Sequence, residues 1–595
     1  MRTWKHYYKR FLIWKTTHLN KTQVLVGASL IIGLLCGLAS VILKNLVSYT
    51  YRLITSFSFS TLDNGNFLYL MYPMIGIAIT VILVRYVIKA DLSHGVSKVL
   101  YALSRNDGKI ATHNCWSSLI TSTITVGFGG SVGLEAPIVY TGSAIGSNIS
   151  RFLHLNPHLT KILVASGAAG AVAGIFKAPV AGILFTFEVL MLDLSMVAML
   201  PMLVSAITAA MVSYFYLGSA ATFTFVSTVP FTLNKIPAFI VLGVVSAIVC
   251  LYYFKIDSLV TKIFKRFPIA VKVIVGGLLL GGLIYVFPPL FGEGYPALNN
   301  LLSGNIHAVF QNSFFYNLSN NTLVLILVFL GIILLKSFAT SITCSAGGVG
   351  GVFAPSLFIG GFVGFFVARL LNLTGLMPVS ESNFVLVGMS SVMAGIMFAP
   401  LTSIFLIAEV TGGYNLLAPL LISTTIAYLT VKASKKYSVY ATPLAKKGDL
   451  MTHNKDYSAL HFMDKRRIME TNFYKLNIND SLRQIVKGVE CSNRNFFIVE
   501  DDEGYFKGVV VVDDVRQYLF HEECYDKILV KDIVRYSDYF IADINDPMER
   551  IAKKFQGTDR YTIVVTDKGK FVGCLSRANV FQAYQQYIRE NLSDD

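Results

Sequence analysis

The chain has 595 residues, of which 54% are hydrophobic and only 14% are charged. Soluble domains carry roughly 25% charged residues, so this composition excludes an ordinary soluble protein and a disordered one. Positions 1–445 hold 27 basic and 10 acidic residues, whereas positions 446–595 hold 23 basic and 25 acidic ones, and this neutral-to-acidic soluble part argues against a nucleic-acid partner.

The first 21 residues contain Lys and Arg interleaved with Trp and Tyr, and they contain no acidic residue. Such a pattern is typical of an amphipathic helix lying on the cytoplasmic surface of a lipid bilayer. We therefore predict a short N-terminal surface helix over residues 1–21.

Apolar runs then recur from about residue 24 to residue 429. A membrane-spanning helix needs about 20 apolar residues, so this length allows more than a dozen crossings. Two runs are broken by Gly and Pro at 126–137 and 344–361. Broken helices are tolerated at membrane depth only where they line a cavity or are buried in protein.

The apolar part contains an internal repeat. Residues 173–189 align with 394–410 at an offset of 221, and the glycine-rich break 129–137 aligns with 347–355 at an offset of 218. Two like halves with corresponding broken helices indicate a transporter-type fold with a site between them. We place this membrane domain at 22–445, with repeats over about 22–215 and 236–445.

A second repeat lies in the charged tail, where residues 495–519 match 560–584 without a gap. Each copy has the pattern of a strand, a glycine turn, a strand and a helix. The tail, residues 446–595, is therefore predicted to hold two small α/β modules at about 464–525 and 528–592.

The run GGVFAP at 350–355 combines glycines with a proline that suits the first turn of a helix. Free N–H groups at a helix start, together with the helix dipole, can hold an anion without a fixed cation. The alternative is close helix packing through small residues. Because the pattern occurs in both halves, the anion-binding interpretation is favoured.

Glu135 precedes a helix-starting Pro in an apolar stretch, and a carboxylate at membrane depth is costly enough to indicate a function. When ionised it could occupy an anion site, and when protonated it could leave; the alternative is a simple helix cap. Glu188 and Glu409 are related by the repeat, which favours a structural role at helix ends. The sequence Gly129–Gly133 fits the G-x-S-x-G pattern of hydrolases, but acid and His partners are not evident, so an enzyme is not expected.

With these motifs, and with VGMSSVMAGIMFAPLTSIFLIAEVTGGY at 387–414, the chain resembles the CLC chloride channel and transporter family with a C-terminal pair of CBS modules. The resemblance implies an all-α polytopic membrane fold of two inverted repeats and a cytoplasmic α/β CBS pair. It also implies a homodimer with one anion pathway per subunit. We expect a location in the plasma membrane, or the inner membrane if bacterial, with both termini cytoplasmic.

The resemblance also implies roles for individual residues. Glu135 takes the place of the gating glutamate, and Val352 and Phe353, after Gly351, supply backbone amides to a bound chloride. Tyr440 takes the place of the tyrosine whose hydroxyl contacts that anion. Tyr437 is the second candidate, and an interfacial anchor is the alternative role for this tyrosine.

Two family motifs differ in this chain. The family pattern G-[KR]-E-G-P has Leu134 in place of the basic residue. The family pattern G-S-G-I-P corresponds to residues 93–97, so that His94 replaces the anion-contacting serine before Gly95, and Ser97 replaces the proline. His94 could donate an N–H to the anion or turn away and pack, which leaves the anion preference open.

The inner glutamate that exchangers of this family often carry is replaced by Val189. Without an ionisable side chain there, a proton relay lacks its inner station, which favours a passive channel over a chloride/proton antiporter. A chain of water molecules could substitute for it.

The CBS modules carry incomplete nucleotide signatures. The first copy has Asp514 without the preceding hydroxyl residue, and the second has Ser576 without the acid. A structural or dimer-contact role is therefore favoured over adenine-nucleotide binding, and neither a metal nor a required cofactor is expected.

Overall fold

The computed structural model describes residues 6–7, 10, 13, 15, 17–56, 67–90, 95–192, 196–218, 223, 230–310, 313, 315, 321–375, 377–447, 449, 463, 465–536, 541–556 and 561–591. The chain divides into two units, Met1–Met451 and Thr452–Asp595. Most of the predicted N-terminal helix and His94 lie outside the described residues. Of the basic residues near the N-terminus, Lys15 is buried and its ammonium donates to the Leu153 carbonyl at 2.7 Å.

The first unit is built from helices, in agreement with the predicted all-α membrane fold. Within the described ranges, nine of them are long and apolar enough to cross a bilayer. The helices are α1 (Lys21–Ser56), α2 (Tyr72–Ile82), α3 (Gly95–Arg105), α4 (Ser117–Gly127), α5 (Glu135–Phe152), α6 (Pro157–Phe176), α7 (Pro179–Glu188), α8 (Met196–Leu217), α9 (Ile236–Phe264), α10 (Ile269–Val286), α11 (Tyr295–Leu302), α12 (Ile306–Val309), α13 (Thr322–Ala346), α14 (Phe353–Thr374), α15 (Glu381–Met397), α16 (Pro400–Val410), α17 (Leu417–Ser434) and α18 (Thr442–Lys447).

The two halves break their helices in the same way. Helix α6 ends at Lys177, which has a left-handed backbone, and helix α7 begins at Pro179. The second half repeats this with Phe398 and Pro400 between α15 and α16. A left-handed residue ends a helix, and a proline two residues later starts the next one because its missing N–H has no partner to lose there.

The glycine-rich breaks of the two halves pair with each other. Gly133 and Gly351 exchange two backbone hydrogen bonds, each 2.8 Å long. Beside them, the Ser131 amide donates to Thr343 at 3.2 Å. Gly133 and Gly351 are at equivalent positions of the repeat, so a pseudo-two-fold axis passes between the two breaks.

The Ser131–Thr343 contact has a counterpart related by the repeat. The Val349 amide donates to the Thr125 hydroxyl at 3.1 Å. Each threonine belongs to the helix that precedes the break of its own half, α4 or α13. Each half therefore satisfies backbone groups of the other at the point where its own helix stops.

The repeat-related glutamates form a second reciprocal pair. Glu188, at the end of α7, accepts from the Leu401 and Thr402 amides at 2.9 and 2.7 Å, at the start of α16. Glu409, near the end of α16, accepts from the Val180 and Ala181 amides at 2.9 Å, at the start of α7. Both glutamates are helix caps, as predicted from their symmetric positions.

The second unit contains two small sheets, each with a parallel and an antiparallel pair, in the orders β1-β2-β3 and β4-β5-β6. They pack through a shared cluster of Ile498, Val509, Val564 and Cys574. The elements are α19 (Lys465–Ile468), β1 (Lys475–Asn477), α20 (Leu482–Cys491), β2 (Phe496–Glu500), β3 (Phe506–Val511), α21 (Val512–Val515), β4 (Ile541–Asp543), α22 (Met548–Gln556), β5 (Thr562–Asp567), β6 (Lys570–Ser576) and α23 (Arg577–Asn591).

The segments that connect the two modules contact both sheets. Residues 530–535, at the start of the predicted second module, pack on the first sheet. Val530 lies in the core of the first module, and Arg535 forms an isolated β-bridge with Val509 of β3. Glu470, near the start of the predicted first module, forms an isolated β-bridge with Cys574 of the second sheet instead. The sequence repeat predicts where the strands are. The connecting segments lie outside the repeat, so the sequence does not indicate which sheet each one contacts.

The reciprocal caps generate a stability prediction. Glu188→Ala and Glu409→Ala each leave two backbone amides without their acceptor, at a cost of about 1–3 kcal/mol for a buried group. We expect both variants to lower the melting temperature of the detergent-solubilised protein by similar amounts.

Glu381→Ala is the control, because Glu381 forms a partly exposed ion pair with Arg369 at 3.1 Å. Such a pair contributes about 0–1 kcal/mol. Melting temperatures that fall no further in the two cap variants than in this control would contradict the capping role.

Candidate functional site

Glu135 lies at the first position of α5 and reaches across to the other half. Its side chain is buried, with 2% of its surface exposed. Oε2 accepts from the Ala354 amide at 3.3 Å, and Oε1 accepts from the Tyr295 hydroxyl at 2.5 Å. The carboxylate is therefore bound at the start of α14, where a helix can hold an anion.

The glycines of the two breaks make this geometry sterically feasible. A Cβ atom on Gly133 would lie 2.1 Å from Oε2 of Glu135, and one on Gly351 would lie 2.5 Å from the Ala136 Cβ. The Gly351 amide is bonded to the Gly133 carbonyl. Gly351 thus permits close approach of the breaks, and its own amide is paired within the protein.

The next two residues of the second break, Val352 and Phe353, start α14 and are buried. Amides in the first turn of a helix have no partner within that helix. Tyr440 is 3% exposed, and its hydroxyl has no hydrogen-bond partner among the described residues. The backbone group nearest in effect to this hydroxyl is the Val352 amide, which interacts with it without reaching the geometry of a full hydrogen bond. Buried polar groups are nearly always paired, so an unpaired buried hydroxyl beside the start of α14 marks Tyr440 as a candidate site residue.

Tyr437, the second candidate from the sequence, is only partly buried, and the Lys436 ammonium lies 5.4 Å from the centre of its ring. Of these two candidates, Tyr440 is the one whose hydroxyl is buried and has no hydrogen-bond partner among the described residues.

Ser97 holds Tyr440 in place. Its hydroxyl donates to the Tyr440 carbonyl at 2.7 Å. Gly95 begins the same helix, α3, and a Cβ atom there would lie 2.8 Å from the Ala136 carbonyl oxygen. The sequence marks Ser97 only as a departure from a family proline, and the side chain supplies a contact that proline cannot make.

Tyr295 and Glu293 belong to this region although the sequence analysis did not select them. Both lie in the run FGEGYP at 291–296, in which an acid precedes a helix-starting Pro as it does at Glu135. The Glu293 carboxylate accepts from the Leu134 amide at 3.3 Å. The sequence therefore did contain an indication of Glu293, because it is an acidic residue shortly before a helix-starting proline, as Glu135 is.

In the C-terminal unit, Asp514 pairs with the guanidinium of Arg535, and Ser576 accepts from the Asn579 amide at 3.2 Å. Both side chains from the nucleotide signature thus make contacts within the protein, while Oδ2 of Asp514 has no hydrogen-bond partner among the described residues.

The comparisons with known proteins agree with this architecture. Residues 75–432 match the family described as voltage gated chloride channel, and residues 530–586 match the CBS domain. A ClcB-like protein of Ralstonia nicotianae is 29% identical over 394 residues, covering 64% of this chain and 86% of that protein. An H(+)/Cl(-) exchange transporter ClcA of Vibrio vulnificus is 28% identical over 333 residues, covering 53% and 66%.

Two solved structures share the fold. A slow cyanobacterial Cl-/H+ antiporter superposes with a TM-score of 0.59 at 22% identity, covering 72% of this chain and 98% of that one. A eukaryotic CLC transporter gives a TM-score of 0.59 at 20% identity, covering 93% and 98%.

The broken helices, the paired glycine turns and the family match over more than half of the chain define an integral membrane protein of chloride transport. The chain belongs to the voltage gated chloride channel, or CLC, family, with a C-terminal CBS region.

The Tyr295 hydroxyl generates a prediction about the Glu135 contact. Tyr295→Phe removes a hydrogen bond to a charged group, which contributes about 1.5–3 kcal/mol to holding the carboxylate in place. We expect chloride efflux from proteoliposomes at neutral pH to rise several-fold.

Tyr252→Phe is the matched control, because its hydroxyl donates to the Leu334 carbonyl at 3.4 Å on α13. Efflux that is the same in the Tyr295 variant, this control and the unmodified protein would show that the hydroxyl does not restrain Glu135.

Proposed function

We propose that this protein is a CLC-type channel that conducts chloride or a similar small anion and is gated by Glu135. One observation carries the proposal: the Glu135 carboxylate accepts from the Ala354 amide at the start of α14. The side chain thereby occupies an anion position next to Val352, Phe353 and Tyr440.

The gating step is an exchange of one anion for another. While ionised, the Glu135 carboxylate competes with free chloride for the same amide donors. When it takes up a proton, it loses the charge that the helix start attracts, and it releases the position. Conduction then uses peptide dipoles rather than a lysine or arginine, so the anion is bound weakly enough to leave.

Passive conduction is favoured by the two residues at the C-terminal end of α7. Val189 is apolar and 2% exposed, and Glu188 beside it is committed to capping α16. Neither residue can therefore serve as a proton station in this arrangement.

A chloride/proton antiporter is the second candidate, and a different acid favours it. Asp257 on α9 accepts from the Ser341 hydroxyl at 3.1 Å. The buried Tyr253 phenol lies in the electrostatic field of both Asp257 and Tyr440. This places a titratable group on the Tyr440 side of the site, where it could replace the missing inner glutamate.

The family resemblance further supports a homodimer in the plasma membrane, or the inner membrane of a bacterium, with both termini in the cytoplasm. Helices α7, α16 and α17 each present exposed apolar side chains, Val180, Leu401 and Leu421. Such a surface suits either lipid or a second copy. Each subunit would hold its own anion pathway.

The decisive measurement is the reversal potential with chloride and pH varied independently. Glu135→Gln keeps the size of the side chain and removes its charge, so we expect faster chloride flux that no longer depends on pH. A channel gives a reversal potential set by chloride alone, whereas an antiporter gives one that shifts with pH.

Glu381→Gln removes one carboxylate far from the site in sequence and serves as the control. A Glu135→Gln variant with the flux and pH dependence of this control would contradict gating by Glu135. A pH-dependent reversal potential that Asp257→Asn abolishes would favour the antiporter.

For the CBS pair we propose a structural role. Asp514 is paired with Arg535, and the second module has Asn579 where the signature has an acid. Since a ligand stabilises the state that it binds, we expect millimolar AMP or ATP to leave the melting temperature of the full chain unchanged. A concentration-dependent rise would show that a nucleotide binds.

A further inference from the structure

Glu293 lies in the wall of a cavity in the membrane unit. The cavity has a volume of about 280 Å³, and its lining includes Lys44, Ser48, Tyr51, Leu134, Glu293 and Tyr295. Glu135 is not part of the lining and lies one residue beyond Leu134. An anion in this cavity is therefore close both to Glu293 and to Tyr295, which contacts Glu135.

The Glu293 carboxylate occupies the start of a helix, as the Glu135 carboxylate does. Its Oε1 accepts from the Leu134 amide at 3.3 Å, and Leu134 immediately precedes α5. The Glu135 carboxylate accepts from the Ala354 amide, also at 3.3 Å, at the start of α14. The two helix starts that meet at the glycine bridge are thus each covered by a carboxylate.

The loop that carries Glu293 is fixed through its backbone. The Leu290 carbonyl accepts from the Ser131 hydroxyl at 2.7 Å, and the Gly292 carbonyl accepts from the Lys336 ammonium at 2.9 Å. Gly292 and Gly294, on either side of Glu293, both have positive φ angles, 57° and 85°. A fixed backbone with one 3.3 Å side-chain contact leaves rotation of the side chain as the movement available to Glu293.

The charges around Glu293 favour exchange of one anion for another. Lys44, Lys336 and Glu135 act on it electrostatically, and the Tyr295 phenol lies in its field. The two lysines make the position attractive to a negative charge in general. The proximity of Glu135 opposes full occupation of both helix starts by ionised carboxylates, since like charges repel.

We propose that Glu293 is a second tethered anion, which competes with chloride for the Leu134 amide and acts in series with Glu135. The inference rests on the proposed anion transport and adds a second binding position to it. A side chain tethered beside its own binding position has a high effective concentration, so it weakens binding of a free competitor.

Chloride binding to the detergent-solubilised full chain, measured by calorimetry, tests the proposal. Glu293→Ala removes the competitor, and we expect chloride affinity to rise about tenfold, within the usual range of coupling between sites. Glu293→Asp keeps the charge but is one methylene too short to reach the Leu134 amide. Competition predicts that the Asp variant also binds chloride more tightly than the unmodified protein.

The Asp variant separates competition from simple repulsion, because a long-range charge effect would leave it with unmodified affinity. Glu381→Gln is the control for loss of a distant carboxylate, and melting temperatures confirm that each variant is folded. The proposal is overturned if the Ala and Asp variants both bind chloride within twofold of the unmodified protein. It is also overturned if only the Ala variant changes.

Failure of the proposed function is recognised separately. Proteoliposomes of the unmodified protein that pass no chloride would contradict anion transport, whereas the binding series on the three Glu293 forms would still decide whether the side chain competes with an anion.

Discussion

The backbone bridge between Gly133 and Gly351 is the contact on which the rest of the site depends. Two helix starts can approach this closely only because the residues that meet have no side chains, as the Cβ positions show. The bridge also uses up the amides of both glycines, so that the donors left for an anion are those one to three residues further on, at the first turns of α5 and α14.

The contacts that hold the two breaks together are related by the repeat, whereas the side chains at the two helix starts differ between the halves. The threonine contacts and the glutamate caps occur twice, once in each half. Glu135 occurs once, since its counterpart in the second half is Phe353. One helix start thus carries a titratable group and the other an aromatic ring, which stacks on Phe176 at 5.0 Å. In the proposed anion site, the two halves thereby contribute unequal groups, and only the one from the first half is titratable.

Much of this architecture could be predicted from the sequence because the repeat offsets identify which residues are equivalent. The offsets located the breaks, the capping role of Glu188 and the strands of the tail. They could not locate Glu293 or Tyr295, since these lie at the start of α11, outside the two aligned stretches of each half. Nor could they locate the contact of Ser97 with Tyr440, which joins distant parts of the chain. Side chains that act across unrelated segments leave no periodic signal, so only the folded structure brings them together.

The reciprocal glutamate caps bear on how such a chain could have originated. Neither half can satisfy the first amides of its own short helix, because Glu188 serves α16 and Glu409 serves α7. A half-length ancestor would have had the same need, and a second identical copy would have met it with the same two contacts. Gene duplication followed by fusion would then have preserved an association that already existed between separate polypeptides.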